Sequence, residues 1–206
     1  LFQFDLGPAL KDLRAEMKGL QRDQIPFVNA LALTKIAQTV QAAETRALPA
    51  VLDRPTPFTL KAFAIVPARK SSPTATVFAK DIQAAYLAPT ETGGLQRLGS
   101  KRAILAPRGV ALNSYGNLPK SKLATLKAKP TVFVGKVTTK KGAIVSGVWQ
   151  RAGGKKASRL KLLVQFEDPK DIKPVLGYQR RAKSVIEGCY VQAYEAAWAR
   201  AMATAQ

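Results

Sequence analysis

Histidine is absent from all 206 residues, and cysteine occurs once, at Cys189. Without an imidazole there is no Ser-His-Asp or Cys-His nucleophile pair, no His-ligated zinc and no side-chain base of ordinary pKa near neutrality. A single thiol excludes an intrachain disulfide and a thiolate metal cage, and on the apolar helix face where it falls Cys189 reads as a buried, inert thiol. No apolar run approaches the roughly 18 residues that a membrane-spanning helix needs. Carboxylates are scarce, 13 Asp and Glu against 33 Lys and Arg. Nor is there a Gly-rich phosphate loop ending in Lys-Ser/Thr, since Gly153-Gly154-Lys155-Lys156 has the form of a hairpin tip. Ser71, Ser100 and Ser121 lie near basic residues, an adjacency that chance supplies in a chain this basic. These absences point away from an enzyme, and we assign no catalytic, metal or cofactor-binding residue. The chain opens at Leu1 with no signal-peptide layout and reads as a processed or trimmed soluble protein made in a reducing cytoplasm.

What the chain has in excess is positive charge, a formal +20, and it is unevenly placed. Residues 1–54 carry 7 basic and 6 acidic side chains and residues 167–206 carry 6 and 5, so both ends are nearly neutral. Residues 55–166 hold 20 basic groups against only Asp81 and Glu91, a net +18. Such a field attracts nucleic acid, anionic lipid or an acidic protein, and by itself says nothing about fold. With 47% hydrophobic residues the chain is able to build a core, and its length suits a single domain over residues 1–206.

The hydrophobic pattern begins with a short amphipathic helix after Pro8, carrying Leu10, Leu13, Met17 and Leu20. A long helix follows from Pro26, with Phe27, Ala30, Leu33, Ala37, Val40, Ala47 and Val51 on one stripe and Leu31, Ile36 and Leu48 widening it. Pro49 predicts a kink or an end near Leu48, and Asp53-Arg54-Pro55-Thr56-Pro57 forces a turn. Two strands, within residues 60–68 and 73–81, form a hairpin through Arg69 to Ser72, and one or two helical turns follow. Residues 90–118, punctuated by Gly93, Gly94, Gly99, Pro107, Gly109 and Gly116, read as an irregular basic arm or loop. After a short basic helix near Pro119, three strands are joined by Lys140-Lys141-Gly142 and by the Gly153-Gly154 tip. In the last strand Leu160, Leu162, Val164 and Phe166 alternate against Lys161, Leu163 and Gln165. Residues 178–205 are helical again, with Ala182, Val185, Ile186, Cys189, Ala193, Ala196 and Ala197 inward and Arg180, Arg181, Lys183, Glu187 and Glu195 outward. The fold class is α+β, with an antiparallel sheet packed against the long N-terminal and C-terminal helices.

The candidate contact residues are Arg97, Lys101, Arg102, Arg108, Lys120, Lys122, Lys140, Lys141, Lys155 and Lys156. Placed on strand faces and hairpin tips, these and the neighbouring Lys127, Lys129, Lys136, Arg159 and Lys161 either neutralise phosphates, with strong salt dependence, or simply face solvent. Tyr86, Tyr115, Phe133 and Trp149 are not spaced as a stacking platform for single strands, and no recognition helix or zinc finger is legible.

At the long helix and its hinge the residues resemble a family. The pattern VNALALTKIAQTVQ, a PTPFT hinge within DRPTPFT, the segments LKAFAIVPA and PTATVFAKD, and the downstream GVWQR are similar to the minor tail protein Z or tail-completion group of tailed bacteriophages, from about Val28 to Trp198. The resemblance implies a structural virion protein, present in several copies, that oligomerises at the head-tail junction or upper tail to complete or join the tail. A homo-oligomeric ring, other neck or tail proteins and the DNA phosphate backbone are then the expected partners, with no membrane and no cofactor. The virion neck or tail is the implied location. From a different class, the alternative is a non-specific nucleic-acid-binding protein using the basic central β-region.

Overall fold

The computed structural model describes residues 24–95, 104–152 and 159–204. The short helix expected before Asp23 and the Gly153-Gly154 tip lie outside these residues. In chain order the elements are α1 (Ile25–Val51), α2 (Pro57–Leu60), β1 (Phe63–Val66), β2 (Thr76–Ala79), α3 (Asp81–Thr92), β3 (Gly94–Leu95) and β4 (Ile104–Pro107). They continue with α4 (Lys122–Lys127), β5 (Val132–Thr138), β6 (Ile144–Ala152), β7 (Arg159–Glu167), β8 (Asp171–Ile172) and α5 (Tyr178–Ala203). The fold is α+β, and the chain divides into two compact units. One takes residues 1–48, 60–80 and 177–206, and the other takes 49–59 and 81–176.

The helical unit pairs α1 and α5 in opposite directions. Val28 and Ala32 near the start of α1 cluster with Ala197 and Ala201 near the end of α5, and Ile36 and Val40 cluster with Ala193. Ala182, Val185 and Cys189 pack against that second cluster. Alanine on α5 brings the helix surfaces close, so the larger side chains of α1 fill the seam. Fully burying a Val or Leu such as Val40 or Leu48 is worth about 1.5–3 kcal/mol. The β1–β2 ribbon joins this pair: Phe63 stacks on Tyr178 at 5.4 Å, the Tyr178 hydroxyl donates to the Val77 carbonyl at 2.9 Å, and Gln41 Nε2 donates to the Phe63 carbonyl at 2.9 Å. Arg69 and Ser72 exchange two backbone bonds of 3.0 Å and close the ribbon, as expected.

Three details differ from the sequence reading. The buried stripe of α1 is Val28, Ala32, Ile36, Val40, Glu44 and Leu48 with Ala37, rotated from the expected one, because it advances in steps of four. On α5, Ile186 and Ala196 are exposed, and Arg181 turns inward to Glu44. The sheet on which the long helices pack is the β1–β2 ribbon, while the four later strands belong to the other unit. Gly188 lies on the exposed side of α5, and an added Cβ there meets nothing within 4 Å. Gly188→Ala is therefore expected to stabilise this unit by up to about 1 kcal/mol, the helix-propensity difference, and thermal melts of the two proteins check it.

The sheet unit is built on an antiparallel sheet of order β4-β7-β6-β5, with a separate β3–β8 pair. Val132, Val148, Leu163 and Val164 form its core with Leu126 of α4. Register slips between Val148 and Trp149, so that Val148 faces Val164 while Trp149 faces Leu162. The slip skips Leu163, and both Leu163 and Val164 are buried, which breaks the strict alternation expected for β7. Gly142 closes the β5–β6 turn at φ +80°, a conformation that glycine adopts without strain. The expected irregular stretch 90–118 contains the strand β4, and Asn113 orders part of the rest by accepting the amides of Tyr115 and Asn117 through Oδ1 at 3.0 and 2.9 Å. At the hinge, Arg54 has φ +44°, Thr56 Oγ1 accepts the Thr59 amide, and the Thr59 hydroxyl lies 3.0 Å from that of Tyr86.

Candidate basic interface

The division into units sharpens the charge map. The helical unit carries 14 basic and 7 acidic side chains, and the sheet unit 19 and 6, a net +13. Of the expected contact residues, Arg97, Lys101, Arg102, Lys155 and Lys156 lie outside the described residues. Lys120 and Lys122 sit at the start of α4, Lys122 half-buried, and Lys140 and Lys141 are exposed in the β5–β6 turn. The α4 helix leads into the first residue of β5 and the turn follows its last, so the seven residues of β5, about 20 Å of strand, separate the two clusters. None of these four lysines pairs with a carboxylate among the described residues.

Arg108 is engaged within its own unit. Its Nε donates to Gln165 Oε1 at 3.1 Å and its Nη2 to Glu167 Oε1 at 2.6 Å, which ties the segment after β4 to β7. Lys170 lies 2.7 Å from the other oxygen of Glu167, and this ammonium, aided by Arg108, holds the Glu167 carboxyl below its usual range. A depressed folded-state value means that the contribution is present above the ordinary carboxylate range and is lost as pH falls through the lowered value.

A depression of about 550 Å³ opens on the sheet unit, lined among others by Val137, Thr138, Lys140, Trp149, Arg159 and Leu160. Among the described residues no Asp or Glu lines it. Trp149 is only 6% exposed, and its indole Nε1 has no hydrogen-bond partner among the described residues. A buried donor left unbonded costs about 1–3 kcal/mol. Sequence reasoning counted Arg159 with Lys140 among the cations able to neutralise phosphates, but it did not join the two, or Trp149, in one site. Their meeting depends on strand pairing and on the slip at Val148, which no local pattern announces.

The second group missed is in the helical unit. Glu44, the one acid of α1, is completely buried, and Arg181 Nε and Nη2 both donate to its Oε2 at 3.1 and 2.7 Å. The available signal was its position, since Glu44 continues the four-residue steps of an otherwise apolar stripe. Among the described residues no group of three His, Cys, Asp or Glu side chains is placed to hold a metal, and no helix is long and apolar enough to cross a membrane. Compared with known protein families, curated proteins and solved structures, the chain matches none.

Proposed function

We propose that the chain is a structural virion protein of a tailed bacteriophage, oligomerising at the head-tail junction or upper tail to complete or join the tail. The carrying observation is the separation of a nearly continuous helical seam from a sheet unit of net +13, which gives one part for self-assembly and another for an acidic partner. The residue pattern between Val28 and Trp198 and its DRPTPFT hinge support the phage assignment. For self-assembly, α5 exposes Ile186, Tyr190, Val191, Trp198 and Met202, so a large apolar surface remains on one helix. Copies that each carry +20 repel one another, and α5, with four basic and two acidic residues, carries only a small share of that charge.

Size-exclusion chromatography and negative-stain imaging of the purified chain with neck or tail proteins test the proposal. The expected result is a multimer that joins such an assembly, and a monomer at every salt concentration that joins none overturns it. The double substitution Tyr190→Glu and Trp198→Glu is expected to give monomers with an unchanged circular dichroism spectrum, because both side chains are about half exposed in the folded chain. Light scattering reads the outcome.

The lysines of the β5–β6 turn, which pair with no acid among the described residues, favour a second reading, non-specific nucleic-acid binding. Titration with duplex and single-stranded DNA at two salt concentrations separates the two, since phosphate neutralisation falls steeply with salt. Replacing Lys140, Lys141, Lys155 and Lys156 with alanine is expected to weaken partner binding under either reading while leaving the melting temperature unchanged. A collapse in stability would show that these lysines are structural.

A further inference from the structure

The depression on the sheet unit combines chemistry that the net charge alone does not imply. Lys140 and Arg159 supply two cations at its lining, Thr138 a hydroxyl, and Trp149 a buried indole N–H with no partner among the described residues, while Val137 and Leu160 supply apolar wall. Donors dominate, no carboxylate among the described residues competes for them, and the volume of about 550 Å³ falls in the range of ordinary ligand pockets. Among the described residues neither Lys140 nor Arg159 pairs with an acid.

We propose that this depression is a carboxylate-binding site that receives a glutamate or aspartate side chain of an acidic polypeptide partner. An aliphatic stem ending in a carboxylate matches the lining: apolar wall from Val137 and Leu160 suits the methylenes, and the cationic charge of Lys140 and Arg159 suits the oxygens. Guanidinium binds a carboxylate through two parallel hydrogen bonds, which fixes orientation as well as charge. Duplex DNA is a poorer fit. It presents phosphates on a stiff convex surface without an apolar stem, and it draws affinity from many cations in a row, whereas among the described residues two line this depression. The inference rests on the reading of the sheet unit as the face that meets an acidic partner.

The two tryptophans make the test specific. Trp149 belongs to the sheet unit and Trp198 is exposed on α5, so the two indole N–H signals in a nitrogen-15 correlation spectrum serve as site and internal control, assigned with Trp198→Phe. The probe is a terminally blocked glutamate-containing peptide, with its glutamine counterpart, oligothymidylate and inorganic phosphate as separate arms. The glutamate peptide is expected to shift the Trp149 signal saturably and leave that of Trp198 in place, and the glutamine peptide to shift neither. Lys140→Ala and Arg159→Ala are each expected to weaken the peptide by about tenfold or more, and Trp149→Phe by about 2- to 10-fold. An unmoved Trp149 signal, a stronger response to oligothymidylate or phosphate than to the glutamate peptide, or unchanged affinity in Arg159→Ala overturns the proposal. If the chain still joins a neck or tail assembly while Trp149 stays unmoved, this site fails and the virion reading stands. A saturable Trp149 shift in a chain that joins no assembly has the opposite meaning.

Discussion

Replacing Arg181 with alanine is expected to cost about 3–5 kcal/mol of stability, a large part of the about 5–15 kcal/mol that holds an ordinary domain together. Glu44 has no exposure to water, and Arg181 makes two hydrogen bonds to its Oε2. Removing the guanidinium takes two hydrogen bonds and their positive charge away from a carboxylate buried inside the α1–α5 seam. The reverse change, Glu44→Ala, is expected to cost less, because the Arg181 side chain is 26% exposed and is able to turn toward water. Replacing both residues with leucine is expected to restore stability to within about 1 kcal/mol of the parent, since apolar packing commonly does as well as a buried ion pair. Chemical denaturation followed by Trp198 fluorescence in a Trp149→Phe background reads the helical unit alone. A loss below about 1 kcal/mol in Arg181→Ala would show that the Arg181–Glu44 pair does not lock the seam.

The same residue shows how far the sequence could be read. The existence of α1 and α5 was legible because both run for more than six turns with apolar residues on one side. The facing of α1 was not, because seven alanines among its 27 residues give the pattern little direction, and an acid was not counted as core. The three later strands and the Lys140-Lys141-Gly142 turn followed from alternation and from one glycine. Their division from the β1–β2 ribbon depends on pairings between residues far apart, for which local pattern carries no information. The strand β4 was hidden by Pro107, which a strand tolerates here because β4 is the edge of its sheet. Of the candidate interface, the lysine-bearing turn was visible as a charged tip. Arg159 was visible only as one more cation and Trp149 only as a scattered aromatic, since both are brought to the depression by the β6–β7 register.

That register produces the second large expected effect. A Cβ built on Gly147 overlaps the Val164 carbonyl oxygen and comes within 3.0 Å of Leu162 Cδ1 and 3.2 Å of Gln165 Cα. The carbonyl and the Cα are backbone of the neighbouring strand, next to the slip at Val148 and Trp149, so neither gives way without moving the ladder. Gly147→Ala is therefore expected to cost about 3 kcal/mol or more, the upper range for overpacking. Two other glycines of the β5–β6 hairpin provide the scale. At Gly135 an added Cβ meets only the Phe133 ring at 3.7 Å, so Gly135→Ala is expected to gain up to about 1 kcal/mol from reduced chain entropy. At Gly142 nothing lies within 4 Å but φ is +80°, and Gly142→Ala is expected to cost about 1–2 kcal/mol from backbone strain alone. Denaturation followed by Trp149 fluorescence in a Trp198→Phe background reports the sheet unit. The order Gly135, Gly142, Gly147 from mildest to most severe is the expected result. If Gly147→Ala proved as mild as Gly135→Ala, the close approach of β6 and β7 would be wrong, and with it the placement of Trp149 and Arg159 in one depression.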